Sequence, residues 1–268
     1  MYTIFILFLQ DSMNTPLTIG TGVGVISFIA LLLIHRFPSL AIFFPVMIFF
    51  IGGLMLAYWY IDIRHGWKYP VFPHIIVTVL SLFALLSILE LPELRYMLMI
   101  IIAAILGICY GWGMNQEDAT WKSEKPFRRF VAIIVALDAY AVMSFFFALA
   151  SFDPSPRLPL IFTILGGALF AGMSLLMWRL YFFVKIKAFI FWMVIMGIMS
   201  VEIIWVVHFL PFGPTVLALL TTWLWYVAQL LVRFHFSSRG IVWERQKFFL
   251  IANSILFVLL LWLFVRWV

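Results

Sequence analysis

Charge is what this chain has least of. Only 10% of its 268 residues are Asp, Glu, Lys or Arg, against about 25% in soluble domains. That excludes a soluble globule, because there is too little polar surface to coat one. Cysteine is nearly absent. A single Cys109, inside an apolar run, excludes an intramolecular disulfide and any CxxC or Cys/His metal site. Long polar stretches are absent too: 115–129 and 234–249 are the longest between apolar runs, so no soluble domain is interposed. The nucleotide-binding patterns GxxxxGK[ST] and GxGxxG do not occur, nor do the hydrolase patterns HExxH and GxSxG. No cysteine nucleophile has a base nearby, and no lysine falls in mid-run, which argues against a retinal Schiff base.

What is present is apolar. Hydrophobic residues make up 66% of the chain, with 30 Phe and 12 Trp. Such a chain uses lipid as its solvent, with Phe on lipid-facing and packed surfaces and Trp at the membrane–water interface. The net charge of +6 is explained by cytoplasmic loops rich in Lys and Arg, so no nucleic-acid partner is implied. The expected partners are membrane lipids and other membrane proteins.

A membrane-crossing helix needs about twenty apolar residues. Nine runs approach that length: 17–35, 40–61, 74–89, 96–114, 130–152, 159–180, 188–209, 215–233 and 250–266. The fold class is therefore all-α, a polytopic transmembrane helical bundle of about nine spans. Thirteen of the 17 Lys and Arg fall in or beside the even-numbered loops. By the positive-inside rule those loops are cytoplasmic. The N-terminus is then cytoplasmic, the C-terminus outside, and the cell membrane the expected location. The first ten residues, MYTIFILFLQ, are apolar but without a basic leader or a following cleavage site, and read as retained, in an interfacial segment 1–16.

Two segments resemble each other. PVMIFFIGGLMLA (45–57) and PLIFTILGGALFA (159–171) share Pro, Gly-Gly and Ala at equal spacing. They suggest a parallel repeat of four helices plus four, with one extra helix, an architecture found in transporters. The organisation expected is an N-terminal segment 1–16, a first four-helix unit 17–114 and a cytoplasmic linker 115–129. A second four-helix unit 130–233 follows, then a loop and final helix, 234–268. Small residues four apart mark close helix packing: Gly20 with Gly24, Gly53 with Ala57, Ala103 with Gly107 and Gly111, Gly167 with Ala171, and Ala168 with Gly172. Pro45 reads as marking a first helical turn.

Ionisable residues at membrane depth are expensive and default to functional candidates. Two carboxylates qualify, Asp138 near the middle of the fifth run and Glu202 in the outer half of the seventh. Lipid disfavours a charged carboxylate, so either is a candidate to bind a substrate or carry a proton. The plain alternative is that each pins neighbouring helices. Arg179, at a helix end, is explained by snorkelling. Gln229 and Asn253 read as interhelical hydrogen-bonding residues. The five histidines, His35, His65, His74, His208 and His235, sit at run boundaries, which disfavours haem b, and no cofactor or metal is expected. The loop 62–74, with Asp62, Arg64, His65, Trp67 and Lys68, has too few acids for catalysis.

Three function classes fit. A non-catalytic membrane subunit or scaffold, packing against partner proteins or lipid, ranks first. A secondary transporter, proton-coupled through Asp138 and Glu202, ranks second. An enzyme acting on a lipid-linked substrate ranks third, with no specific support. The first two differ in what the interior should show: a transporter brings both acids onto one polar cavity, whereas a scaffold buries each singly.

Overall fold

The computed structural model describes residues 16–36, 40–65, 71–114, 121–152, 157–182, 187, 189–236 and 243–264. Residues 1–15, the middle of the 62–74 loop and the first part of the 115–129 linker lie outside these, so the expectations placed there concern residues outside the description. Among the described residues the chain is all-helical, and nine helices follow one another. They are α1 (Pro16–Arg36), α2 (Leu40–His65), α3 (Val71–Ile88), α4 (Pro92–Met114), α5 (Trp121–Phe152), α6 (Arg157–Tyr181), α7 (Ile190–His208), α8 (Pro214–His235) and α9 (Trp243–Phe264).

Each helix covers one of the nine apolar runs, but α5 begins nine residues before its run, at Trp121, so the second half of the expected linker 115–129 is helical. Long runs of Leu, Ile, Met, Ala and Phe propagate a helix well, and lipid forces every backbone group to bond within it. Proline sits where a helix starts, at Pro16, Pro92 and Pro214, because an N-terminal N–H has no intrahelical partner to lose. The start of α8 is also capped by backbone: the carbonyl of Gly213 accepts from Val216 N at 3.0 Å and Leu217 N at 3.1 Å. Pro45 departs from its expected role. It is the sixth residue of α2, past the first turn, and removes one interior hydrogen bond.

Six helices are long and apolar enough to cross a membrane: Thr18–Arg36, Pro92–Trp112, Pro126–Phe152, Arg157–Tyr181, Ile190–His208 and Pro214–His235. In α2, α3 and α9 only the shorter stretches Pro45–Leu56, Pro73–Ile88 and Gln246–Leu259 count as apolar helix among the described residues. Of the nine expected spans, six therefore meet the criterion among the described residues.

The chain divides into two compact units, Met1–Ile134 and Val135–Val268, with the boundary inside α5. In the first unit α1 and α4 run antiparallel in backbone contact. A Cβ on Gly20 would lie 2.6 Å from the Gly107 carbonyl oxygen, and one on Gly24 would lie 3.1 Å from that of Ala103. Tyr110 donates its hydroxyl to the Leu54 carbonyl at 2.7 Å, tying α4 to α2. His35 meets Tyr96 edge-on at 5.3 Å near the other end of the α1–α4 pair.

In the second unit the backbone contact is between α6 and α7. A Cβ on Gly167 would lie 2.4 Å from Val201 Cγ2 and 3.0 Å from the Gly197 carbonyl, and one on Gly166 would lie 2.8 Å from Ile204 Cδ1. Gly52, Gly53 and Gly172 have nothing within 4 Å of such a Cβ. Close packing was expected at Gly53 and Gly172, and neither makes it. The two Gly-Gly signatures that suggested a repeat therefore do different work, one open and one packed.

Candidate functional site

Both candidate carboxylates lie in the second unit, in opposite environments. Asp138, the eighteenth residue of α5, is fully buried. Glu202, the thirteenth residue of α7, is exposed. The inward stripe of α7 is Met196, Ser200, Ile204 and Val207. At 100° per residue Glu202 is about 200° round from Ser200. It emerges instead among Ile198, Trp205 and Val206, themselves 58%, 40% and 63% exposed. The structure does not bring Asp138 and Glu202 onto one polar cavity.

A second set of polar groups, of which only Gln229 stood out in the sequence, lies on α8. On α8 the buried residues Ala218, Thr221, Thr222, Trp225, Gln229 and Val232 share one face. Thr221 and Thr222 mark its edges, about 100° of arc apart. The polar side of this helix therefore points into the protein, the reverse of a water-soluble amphipathic helix. Two indoles hold it against α6. Trp225 donates Nε1–H to Ser174 Oγ at 2.9 Å and the Phe170 carbonyl at 3.2 Å, and its ring stacks on Phe170 at 4.9 Å. Trp178 donates Nε1–H to the Gln229 carbonyl at 3.3 Å.

The hydroxyls and amide between those anchors are unused. Most serines and threonines buried in lipid-spanning helices bond back to their own helix. Ser27, Thr163 and Ser174 do so, at 2.7 to 2.8 Å from the carbonyl four residues earlier. Ser144, Ser200, Thr221 and Thr222 do not, and Gln229 bonds through neither Oε1 nor Nε2. The expectation that the Gln229 side chain bridges helices is thus corrected: its backbone carbonyl makes the bridge. The sequence carried one signal of this, LLTTWLWYVAQLL, in which every polar residue falls on a single helical face.

The histidines are dispersed. His208 stacks on Phe147 at 6.4 Å, His235 lies 5.1 Å from Trp192, and His74 is buried near the start of α3. Among the described residues no three His, Cys, Asp or Glu side chains group as metal ligands would.

In the first unit an open groove of about 850 Å³ runs beside the α1–α4 crossing, floored by Gly24 and Gly107 and walled by Val25, Phe28, Ile100 and Trp112. Its lining is almost wholly apolar, as expected where lipid chains are the surrounding solvent.

Comparison with known protein families, with curated proteins and with solved structures finds no match for this chain.

Proposed function

We propose that this integral membrane protein is a non-catalytic subunit of the cell membrane, inserted with its N-terminus cytoplasmic. On this reading it binds a partner membrane protein through the exposed face of α7. The observation that carries the proposal is Glu202 on an otherwise apolar, exposed helix face. Six residues separate it from the helix end at His208, which is about 9 Å at 1.5 Å per residue. A glutamate side chain does not span that distance to reach water. A charged group near the centre of a span costs about 2.5–3.5 kcal/mol on insertion scales. A partner helix presenting a hydrogen-bond donor or a basic side chain there offsets that cost, and lipid does not.

The runner-up, a proton-coupled secondary transporter, draws support from the burial of Asp138. It loses support from the separation of Asp138 and Glu202, which leaves no shared cavity for coupling.

Photo-crosslinking in native membranes tests the proposal. Probes at Ile198 and Val206, one turn either side of Glu202, should trap one discrete protein, with a lower yield in Glu202→Leu. A probe at Ile164, also exposed but on α6, should not trap it. Adducts of lipid size alone at all three positions overturn the subunit reading.

A further inference from the structure

We infer that the interface between α8 and the α6–α7 pair is the closed form of a passage for a small uncharged hydrogen-bonding molecule, water being the simplest, and that α8 is the element that moves to open it.

The first support is a row of polar atoms with no protein partner. Ser200 Oγ on α7, and Thr221 Oγ1, Thr222 Oγ1 and both amide atoms of Gln229 on α8, are buried and unbonded. Each such group gives up its hydrogen bonds to water and gains none from the protein, which disfavours the closed form. A seam built only to hold helices together would use these side chains in bonds, as Ser174 and Trp225 do. Four unbonded atoms on the buried face of α8, with a fifth on the buried stripe of α7, weaken the closed form and favour any state that wets them.

Their register places them along one line. Ser174 bonds Trp225 and Trp178 bonds Gln229, so α6 and α8 run parallel. Gly167 packs on Gly197 and Val201, so α7 runs antiparallel to α6. Ser200 therefore falls within one turn of the level of Thr221 and Thr222. From Thr221 to Gln229 is eight residues, about 12 Å along the axis, a substantial part of a hydrocarbon core about 30 Å thick.

The chemistry of the seam selects the ligand. None of the buried residues on α6, α7 or α8 is ionisable, so an ion finds no counter-charge. Hydroxyls and a carboxamide both donate and accept, which suits a neutral molecule that does the same. The unbonded atoms are also inaccessible, so this form is dry and a passing molecule must be small.

The packing says which element gives way. The α6–α7 contact is made at backbone distance through Gly167 and Gly197. By contrast α8 meets α6 through two indole hydrogen bonds and an aromatic stack, and meets α7 through the rings of Trp192, His235 and Phe236, with bulky side chains as spacers on both sides. It is joined to α7 by the short segment 209–213, ending in Gly213 and Pro214. One pair is welded and the third helix is hung beside it.

Thiol accessibility in native membranes tests this. With the buried Cys109 replaced by alanine, Ser200→Cys and Thr221→Cys should react with a small water-soluble methanethiosulfonate at least tenfold faster than two equally buried controls, Met99→Cys and Ala139→Cys. Adding Thr221→Val and Gln229→Met, which remove the unbonded groups at near-constant volume, should stabilise the closed form and slow labelling of Ser200→Cys about tenfold. Seam cysteines that react no faster than the controls overturn the passage. Fast labelling that the added substitutions leave unchanged overturns the role given to these side chains.

Discussion

Replacing Gly20 by alanine should destabilise the first unit, whereas the same change at Gly53 should stabilise it. Both glycines lie in apolar helices, and both substitutions add one methyl group. At Gly20 the new Cβ would lie 2.6 Å from the Gly107 carbonyl oxygen and 3.0 Å from the Gly111 Cα, against the 3.4 Å at which ordinary contact begins. The shortfall to the oxygen is thus 0.8 Å. Both obstructing atoms are backbone, and no rotamer change relieves them. The helices must part, and overpacking of this kind costs about 1–3 kcal/mol. At Gly53 nothing lies within 4 Å, so only backbone terms act. Alanine there should gain about 0.4–1 kcal/mol through helix propensity and a less flexible unfolded chain. Gly167 is the intermediate case, because its nearest obstruction, Val201 Cγ2 at 2.4 Å, is a side chain, with the Gly197 carbonyl behind it at 3.0 Å. Adding Val201→Ala should restore part of the loss at Gly167 and none of that at Gly20. Thermal unfolding in detergent, followed by tryptophan fluorescence, measures each variant against the parent protein. Equal shifts for Gly20→Ala and Gly53→Ala would refute the claim that α1 and α4 touch at backbone distance.

Two further predictions concern the second unit and the topology. Trp225→Phe removes an indole N–H that bonds Ser174 Oγ and the Phe170 carbonyl and shrinks a fully buried ring, so it should cost about 1–3 kcal/mol. Trp178→Phe, losing one longer bond, should cost less, and the order of their thermal midpoints checks this. For topology, reporters fused after residues 68 and 268 should read cytoplasmic and external respectively if all nine helices span. Both should reverse if α1 and α4 to α8 alone span.

The helices were legible because length and hydropathy alone decide where a lipid-soluble chain becomes helical, and all nine runs emerged as helices. Which side of each helix faces inward was not legible. In water the apolar face marks the core, but lipid is as apolar as the core, so α7 has the same composition on its buried and exposed sides. Glu202 and Ser200 stand two residues apart, one outside and one inside, and the run around them does not say which. The glycines show the same limit. Gly52-Gly53 and Gly166-Gly167 sit in nearly the same local sequence, yet only the second pair meets a neighbour, because contact depends on the helix opposite. The polar face of α8 was the exception. Its residues are spaced at helical period, and in lipid a polar stripe turns inward.

That inversion also bears on how firmly the orientation stands. The three helices outside the six counted among the described residues are α2, α3 and α9. The first two are consecutive, so leaving both out of the membrane preserves the direction of every helix that follows. Leaving out α9 affects only what comes after it. On nine spans 13 of the 17 Lys and Arg are cytoplasmic; on six, Arg64 and Lys68 move outside, Arg266 moves inside, and 12 of 17 remain cytoplasmic. The charge bias therefore gives α4 to α8 the same direction on either count, and the seam against α8 keeps the same polarity across the membrane. Two places change sides, the 62–74 loop and the C-terminus. The C-terminus follows α9 alone, a helix with mostly exposed side chains among the described residues, whose buried Phe257 stacks on Trp223 of α8 at 4.2 Å. If the Lys and Arg of the loops before α8 set its direction, loss of that stack in Phe257→Ala should leave the direction unchanged.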